Sequence, residues 1–387
     1  MGRVGGCVTW RARQSPGRTE KRLSPRQGGC GIQRAMPQRL TTLHDIFDHG
    51  FDDVIDVRSP AEFAEDHVPG AINLPVLDNE ERAQVGTIYK QDSPFKARKL
   101  GAALVFRNAA AHVQGPLALH DGGWRPLVYC WRGGQRSGTF AWMLAEIGWR
   151  SDTIDGGYRS YRRLVNGYLH KAPLPHRLLQ LGGYTGTAKT DLLPRLATQG
   201  LQVLDLEALA NHRGSLLGER PGGQPSQKGF ETALAQALCA FDPKRPVIVE
   251  AESSKIGNLN LPPSLWDAMK AAPWLEISAP LEARATYLAQ AYDDILSDAP
   301  RLRDRLSPLR YHRGHALVDH WDQLITSGDR VALCRSLAAD HYDPAYDKSM
   351  RAVSPRIVAR FDADSLTSPA LDDLAAKIAA WVQDISI

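Results

Sequence analysis

The sequence predicts two successive α/β units, each built on a parallel sheet. Short apolar segments alternate with amphipathic helical segments along most of the chain, a pattern typical of βαβ units. Two of the predicted strands run into glycine-containing turns that open a helix, at 128–138 and at 177–196. From about Asp267 onward the pattern is mainly helical. We therefore expect an α/β protein with a helical C-terminal part.

The chain divides by pattern into four segments. Residues 1–36 form a basic extension without helical or strand periodicity, which we expect to be disordered or artefactual. A transit peptide, or an upstream extension before a start at Met36, stays open as another interpretation. We place the first α/β unit at 37–157, a linker helix at 158–175 and the second unit, with its helical C-terminal region, at 176–387.

Composition is that of a soluble globular protein. The chain of 387 residues is 43% hydrophobic and 23% charged, with a formal net charge of +4. No apolar run approaches the roughly 18 residues of a membrane span. The 5 cysteines, of which Cys7 and Cys30 lie in the basic extension, indicate no disulfide framework. A reducing, cytoplasmic setting follows, and we expect no membrane contact.

The first unit begins with a buried strand and a capped helix. In "DVIDVRSPAEF" (53–63), Ser59, Pro60 and Glu62 take positions that favour a helix start. "HVPGAINLP" (67–75) predicts a turn into a second strand, and "RPLVYC" (125–130) a further strand. A helix with an apolar stripe follows at 137–148.

Cys130, at the end of that strand, is the candidate catalytic residue. Backbone N–H groups of the following turn and the positive end of the next helix would converge on its sulfur. Such surroundings lower a thiol pKa from about 8.5 into a range of roughly 3.5–7.5, so that the thiolate is present at neutral pH. Two arginines add charge and paired donors for an oxyanion. The predicted oxyanion loop consists of Arg132, Gly133, Gly134, Gln135 and Arg136.

Two kinds of enzyme use a cysteine in this setting. Cys130, Arg136 and Ser137 match the Cys-x5-Arg-Ser/Thr pattern of cysteine phosphatases. "DVRSPAEFAEDHVPGAINLP" (56–75) resembles the rhodanese sulfurtransferase signature. We favour the rhodanese interpretation, because no acid of the kind a phosphatase needs is evident.

The second unit opens with a phosphate-binding loop. "GGYTGTAKT" (182–190) fits G-x-x-x-x-G-K-[ST], except that Ala188 replaces the second glycine. That replacement costs little if the φ angle of Ala188 is negative. The predicted diphosphate site consists of Gly183, Thr185, Gly186, Thr187, Ala188, Lys189 and Thr190. The motif leaves open whether the phosphates belong to a nucleotide or to another diphosphate.

Carboxylates are expected near this loop, at the ends of neighbouring strands. They are Asp205 and Glu207 in "DLEALANHRGS", and Glu250 and Glu252 in "VIVEAES". Arg213, Gly214 and Ser215 form a further basic turn that we assign to the same site. We predict no dedicated metal site, since His312 and His315 lack convincing partners.

Taken together, these segments resemble the selenophosphate-dependent tRNA 2-selenouridine synthases, in which a rhodanese domain is fused to a P-loop domain. The resemblance rests on "YCWRGGQRS", "GGYTGTAKT", "DLEALANHRGS", "QKGFE" (227–231) and "VEAESSKIGNLNLP" (249–262), and covers about 40–346.

The resemblance implies that wobble 2-thiouridine in tRNA becomes 2-selenouridine. The sulfur is first alkylated by geranyl diphosphate and then displaced by selenium from selenophosphate. It implies no tightly bound cofactor, with Mg²⁺ as an optional ligand of the P-loop. The partners it implies are tRNA and an enzyme supplying selenophosphate, and the oligomeric state stays open. We infer that the P-loop holds the diphosphate and that selenium is passed on through Cys130.

Other functions stay open at this point. A rhodanese or phosphatase module could be fused to a small-molecule NTPase or kinase, and a non-catalytic RNA-binding adaptor is a third hypothesis. An arginine-rich segment, "APRLRDRLSPLRYHRG" (299–314), bears on the choice. It could be a solvated helix face or a contact for the RNA backbone. The candidate tRNA-contact residues are Arg301, Arg303, Arg305, Arg310 and Arg313.

Overall fold

A computed structural model describes residues 37–214 and 218–385 of the chain. The basic extension at 1–36 and Ser215 lie outside the described residues. The strands are β1 (Pro37–Gln38), β2 (Asp53–Asp56), β3 (Ile72–Asn73), β4 (Pro126–Tyr129), β5 (Asp152–Ile154), β6 (Leu178–Gly182), β7 (Gln202–Leu204), β8 (Val247–Glu250), β9 (Lys255–Ile256), β10 (Leu259–Asn260), β11 (Trp274–Ser278) and β12 (Ile357–Asp362).

Helices account for most of the remaining described residues. They are α1 (Leu43–Phe47), α2 (Pro60–Glu65), α3 (Asn79–Gln91), α4 (Pro94–Gln114), α5 (Gln135–Ile147), α6 (Tyr158–His170), α7 (Lys189–Thr198), α8 (Leu206–Ala210), α9 (Gln227–Cys239), α10 (Pro263–Ala271), α11 (Leu281–Ala291), α12 (Asp293–Leu296), α13 (Ala299–Leu306), α14 (Arg310–Arg313), α15 (His315–Ser327), α16 (Arg330–Ser336), α17 (Asp343–Val353) and α18 (Ser368–Asp384). A 3₁₀ turn (Ser307–Leu309) and a π-helical turn (Leu337–Tyr342) complete them.

The first sheet is parallel, with strand order β1-β5-β4-β2-β3. Strand β4 lies at its centre, where Val128 pairs with Ile55 on one side and Thr153 on the other. All four residues of β4 are buried, as expected of a strand covered on both faces. Cys130 therefore leaves the carboxyl edge of the sheet at its middle, where ligands bind in open α/β sheets.

A pair of long helices, α3 and α4, separates β3 from β4. Ser93 caps α4 and Pro94 occupies its first turn, so the chain reverses sharply between the two helices. Gly101 of α4 faces Val85 of α3, and an added Cβ would make an ordinary van der Waals contact with Val85 at 3.4 Å. The two helices pack beside the start of α5, which begins in the Cys130 loop.

The second sheet is also parallel, with order β12-β11-β6-β8-β7. Central strand β6 leads into the glycine loop and α7, and the register pairs Leu181 with Glu250 at the end of β8. The C-terminal region is mainly helical, as expected, but it also contributes β11 and β12 to this sheet. Strand β11 is only 5 residues long, too short for its periodicity to stand out between helices.

The two α/β units share a hydrophobic core. Helix α6, in the segment predicted to link them, buries Tyr158, Tyr161, Val165 and Leu169. These side chains cluster with residues of α9, β7 and β8 from the second unit. The segment between the units is therefore part of the packed interior.

Polar contacts reinforce this interface. The hydroxyl of Tyr161 donates to Thr232 Oγ1 at 2.9 Å. Arg162 forms ion pairs with Asp66 of the first unit and Glu231 of the second. Glu231 ends the "QKGFE" segment, which therefore lies at the interface between the units. None of the described helices combines the length and hydropathy that crossing a bilayer requires.

Candidate active sites

The residues of "DVRSPAEF" build the support of the Cys130 loop. Arg58 and Asp56 form a buried ion pair at 2.6 Å, and Arg58 also donates to the carbonyl of Asp66. Glu62 completes a capping box with Ser59 at the start of α2. The same carboxylate accepts a hydrogen bond from Arg136 Nη1 at 3.0 Å. The signature therefore fixes the position of a loop arginine far away in sequence.

The Cys130 loop is packed tightly against the end of β5. Gly133 has a φ of +63°, and a Cβ there would lie 2.7 Å from the carbonyl oxygen of Ile154. Only glycine fits this position without displacing backbone. The amide of Tyr158 donates to the carbonyl of Cys130 at 2.8 Å. The glycine at position 133 and the hydrogen bond from Tyr158 together fix the backbone conformation of the loop.

Cys130 is buried, with only 4% of its surface exposed. Burial by itself raises the pKa of the thiol. The hydroxyl of Ser137, 3.2 Å from Sγ, the charge of Arg136, and the backbone N–H groups of Ser137 and Arg132 outweigh burial, so the pKa lies below its ordinary value. The surroundings thus stabilise a thiolate that only a small reactant can reach.

The structure brings some predicted loop residues closer to the sulfur than others. The charge of Arg136 and the backbone N–H of Arg132 act on the thiolate, while Gly134 and Gln135 begin α5. Sequence reasoning did not assign a role to Ser137, although it follows Arg136 in the phosphatase-like pattern. Its hydroxyl, at 3.2 Å, donates directly to Sγ.

A cavity of about 470 Å³ adjoins this loop. Its floor is apolar, formed by side chains of α3 and α4 together with Leu77. Arg82, Arg98 and Arg136 stand at its rim, and Gln135 and Thr139 of α5 close one side. The cavity can therefore take a partly apolar group inside, while phosphates attached to that group lie outside, near the arginines.

The glycine loop forms one wall of a second pocket, of about 330 Å³. Of its predicted residues, Gly183, Thr185, Gly186, Ala188, Lys189 and Thr190 line the pocket. Thr187 is fully buried and its hydroxyl donates to the carbonyl of Tyr184 at 2.8 Å. The ammonium of Lys189 rests on the carbonyls of Gly183 and Tyr184, at 2.9 and 3.2 Å.

Ala188 differs from the expected backbone conformation. Its φ is +57°, in the left-handed region, rather than negative. A non-glycine residue there costs about 1–2 kcal/mol. The methyl group of Ala188 is buried in the hydrophobic core of the second unit, which offsets part of this cost. The glycine of the usual motif therefore reflects a real backbone requirement that this chain meets with alanine.

Three glutamates face the glycine loop. Carboxylate oxygens of Glu207, Glu250 and Glu252 lie within 4.8 Å of one another. The hydroxyl of Thr190 lies 3.2 Å from Glu207 and 3.4 Å from Glu250. Asp205 instead caps α8, where it accepts from the N–H of Ala208 at 2.8 Å. The cluster thus includes three of the four predicted carboxylates.

Burial and mutual repulsion hold protons on this cluster. Burial and then the neighbouring Glu250 and Glu252 raise the pKa of Glu207 to about 9. Burial and then Glu250 raise the pKa of Glu252 to about 7. The pKa of Glu250 is also raised, chiefly by burial. Oxygen donors of this kind suit Mg²⁺, whose charge would permit all three to ionise.

The basic turn after α8 closes the same pocket. Gly214 has a φ of +66°, and a Cβ there would lie 2.7 Å from Glu207 and 2.8 Å from Glu252. Arg213 pairs with Asp294 at 3.0 Å and lies over the ring of Tyr292. Arg213 Nη1 is buried without a hydrogen-bond partner among the described residues. That orphaned donor lines a pocket suited to phosphate.

Sequence reasoning could not locate an apolar groove beside the glycine loop, and in the structure aromatic and aliphatic side chains contribute to the lining of this pocket. Its far wall consists of Tyr287, Leu288, Ala291, Tyr292, Tyr342 and Tyr346. Four of these lie on α11 or at its end, with Tyr287 and Ala291, and Leu288 and Tyr292, each four residues apart. That helical spacing was the signal in the sequence for one apolar helix face. The position of this face beside the glycine loop depends on the tertiary fold.

The arginine-rich segment carries ion pairs that its local sequence does not indicate. Arg301 and Arg305 pair with Glu219. Arg303 pairs with Asp322, and Arg310 with Asp319. Arg313 donates to the ring and carbonyl of His341, at 3.1 and 2.8 Å. These partners come from α15, from the π-helical turn and from the segment around Glu219, whereas only Asp298 and Asp304 are near in sequence.

Comparison with known proteins identifies both α/β units. The rhodanese-like domain model matches residues 40–164, and the model of the tRNA 2-selenouridine synthase AAA domain matches 176–299. A tRNA 2-selenouridine synthase from Hahella chejuensis is 35% identical over 80% of this chain and 88% of its own length. One from Alcanivorax borkumensis is 36% identical over 76% and 88%. The chain belongs to the tRNA 2-selenouridine synthase family.

Proposed function

We propose that the chain converts wobble 2-thiouridine of tRNA into 2-selenouridine in two steps. Geranyl diphosphate alkylates the sulfur at the glycine-loop pocket, and selenium from selenophosphate then replaces the alkylated sulfur beside Cys130. The observation that supports the proposal is that a member of this family combines a glycine-loop pocket lined by Lys189 with a buried thiol in an arginine-containing loop. One site offers a lysine and an apolar wall, the other a thiolate.

The glycine-loop pocket suits a prenyl diphosphate. Backbone N–H groups of the loop and Lys189 can hold the diphosphate, and Arg213 adds a buried donor with no protein partner among the described residues. Glu207, Glu250 and Glu252 would hold Mg²⁺, which would supply further positive charge to the diphosphate. The tyrosine-lined wall of α11 can cover the prenyl chain.

The alkylation step needs stabilisation of the leaving group. The thiocarbonyl sulfur attacks C1 of geranyl diphosphate, the carbon–oxygen bond breaks and diphosphate leaves. Lys189 can move from the carbonyls of Gly183 and Tyr184 onto the developing charge. Aromatic rings near C1 favour positive charge developing on the allylic carbon. Alkylation converts a poor leaving sulfur at C2 into a good one.

The second step is assigned to the first unit. Selenophosphate is small and anionic, and so suits the deep loop of Arg132, Arg136 and Cys130. We assign the alkylated nucleoside to the 470 Å³ cavity beside the loop. Its apolar floor would cover the geranyl chain, and Arg82 and Arg98 at its rim would meet RNA phosphates.

Mass spectrometry of tRNA nucleosides tests the proposal. The full chain is incubated with thiolated tRNA and with geranyl diphosphate alone, selenophosphate alone, or both. We expect S-geranyl-2-thiouridine with the first, no change with the second, and 2-selenouridine with both. Selenouridine formed without geranyl diphosphate would contradict the two-step scheme.

A further inference from the structure

Electron balance restricts what Cys130 can do with selenophosphate, if the proposed function holds. Selenium has the same oxidation level in selenophosphate and in 2-selenouridine. A Cys–S–Se⁻ species holds selenium two electrons more oxidised, so that route needs an external oxidant and then a reductant. Attack of the thiolate on phosphorus needs neither.

The loop has the composition for phosphoryl transfer to sulfur. Cys130 and Arg136 enclose five residues, the Cys-x5-Arg spacing that cysteine phosphatases also use. Arg136 donates to Glu62 through Nη1 at 3.0 Å, and the guanidinium fork has further N–H donors to offer a phosphoryl oxygen. The N-terminus of α5, a helix of 13 residues, faces the same place.

Ser137 supplies a second independent feature. Its hydroxyl donates to Sγ at 3.2 Å and lies in the buried interior of the loop. This donor favours the charged form of the sulfur. It stabilises the thiolate when that thiolate is the leaving group, as it is when phosphocysteine is hydrolysed.

The described residues around the loop include no protonated carboxyl group that could serve as a general acid, which is consistent with a selenide leaving group. Among the described residues, the carboxyl group bonded to a loop side chain is that of Glu62. Burial raises the pKa of Glu62, but Arg136, the Ser59 N–H and Arg82 together lower it by more than burial raises it. The pKa therefore lies below its ordinary value, and Glu62 is ionised at neutral pH. An alkoxide leaving group would need a general acid. Selenide is a much weaker base and departs without one.

We propose that Cys130 releases selenium by becoming phosphorylated. Cys130 Sγ attacks the phosphorus of selenophosphate, a sulfur–phosphorus bond forms and the phosphorus–selenium bond breaks. Selenium leaves as hydrogen selenide anion, with the proton that monoprotonated selenophosphate carries into the loop. The selenide attacks C2 of the alkylated nucleoside in the adjoining cavity, and geranylthiol departs. Water then attacks the phosphocysteine, phosphate leaves, and Ser137 stabilises the returning thiolate.

Trapping the phosphorylated cysteine tests this inference. The full-length Ser137→Ala variant, which should hydrolyse phosphocysteine slowly, is mixed with selenophosphate carrying radioactive phosphorus and quenched. We expect label on the peptide that contains Cys130, at least about tenfold above wild type. The label should be absent from Cys130→Ser, and Ser137→Thr, which keeps the hydroxyl, should carry less label than Ser137→Ala.

Phosphorus and selenium adducts have nearly equal masses, so the isotope pattern of selenium must be read along with the label. Selenium on Cys130 without phosphorus overturns the inference, as does an unlabelled Ser137→Ala protein that still forms selenouridine. The proposed function is tested separately in the same samples, by nucleoside analysis of wild type. Label on Cys130 with no selenouridine from wild type would contradict the proposed function and leave the phosphocysteine supported.

Discussion

The Cys130 loop and the glycine loop occupy equivalent places in their sheets but differ in their charge balance. Each follows a central parallel strand and opens a helix. Around Cys130, hydrogen bonds and the charge of Arg136 outweigh burial and lower the pKa of the thiol, which favours the reactive anion. Around the glycine loop, Lys189 rests on carbonyls, and burial raises the pKa of Glu207 to about 9. The first site favours its reactive anion without a ligand. At the second site, the negative charge of a diphosphate or the positive charge of a divalent cation would balance Lys189 and the glutamates.

The largest effect should come from removing the nucleophile. We expect Cys130→Ser to lower selenouridine formation by about 10³-fold or more while S-geranylation continues, because a hydroxyl in this loop stays protonated. Nucleoside analysis should show geranylated thiouridine accumulating. Cys334→Ser, at a buried cysteine in the helical C-terminal core, is the matched control. Equal loss of both steps would contradict a division of labour between the two loops.

Removing the lysine should have the opposite pattern. Lys189→Ala should weaken binding of geranyl diphosphate by about 100-fold, as expected for loss of a charge-assisted contact. Selenation of tRNA that is already geranylated should be unchanged. Titration calorimetry measures the affinity, with Lys270→Ala, an exposed lysine paired with Asp267, as the control. Unchanged affinity would refute the diphosphate assignment.

Filling the cavity beside Cys130 should have an intermediate effect. Ala102 lines the cavity, whereas the neighbouring Ala103 does not, and both are exposed on α4. We expect Ala102→Trp to reduce kcat/KM for selenation of geranylated tRNA by about tenfold, because the indole would fill the space that the geranyl group occupies. Ala103→Trp should have little effect. Similar rates for the two variants would show that the alkylated nucleoside binds elsewhere.

The raised pKa values predict that stability depends on pH in a definite direction. Glu207 and Glu252, with pKa values of about 9 and about 7, keep protons in the folded chain that the unfolded chain releases near 4.5. The folded state therefore binds more protons between these values, and stability falls as pH rises through them. Without divalent cations, we expect Tm to drop by a few degrees between about pH 6 and 9. Glu207→Gln should flatten the profile, and a slope as steep as that of wild type would contradict the cluster's role.

The sequence predicted most of what lies within one strand–loop–helix segment. Cys130 and Lys189 could be placed because their motifs are local and their chemistry follows from residue type and spacing. Ala188 could not be interpreted correctly, since its φ depends on how the loop packs and not on the motif. Strand β11 was hidden because a short buried strand and a helix segment have similar apolar patterns.

Features that depend on long-range contacts were beyond the sequence. Arg136 is held by Glu62, 74 residues earlier, and Glu207 and Glu252 meet only because strands β7 and β8 are neighbours. The tyrosine-lined wall and the shared core at α6 likewise arise from tertiary packing. Local sequence therefore indicated the reacting groups but not the groups that tune them.

The smallest effect should come from the arginine-rich segment. Contact of this segment with tRNA is still a prediction, and its test is the salt dependence of binding. Arg303 and Arg310 already pair with Asp322 and Asp319. Each guanidinium already pairs with a carboxylate of the same chain. Exchanging that carboxylate for an RNA phosphate therefore gains less binding free energy than a phosphate contact made by an unpaired arginine.

We therefore expect Arg303→Ala with Arg310→Ala to reduce the slope of log affinity against log salt by about one counterion or less. The affinity for geranyl diphosphate should be unchanged, because the pair lies outside the glycine-loop pocket. Filter binding at several salt concentrations measures the slope. Arg98→Ala with Lys99→Ala on α4 provides the comparison, and there we expect a reduction of about two. A larger change of the slope in Arg303→Ala with Arg310→Ala than in the α4 pair would indicate that the main RNA contact lies in the C-terminal helices and not in the first unit. An unaltered slope in the first pair would leave these arginines as structural ion-pair partners of α15.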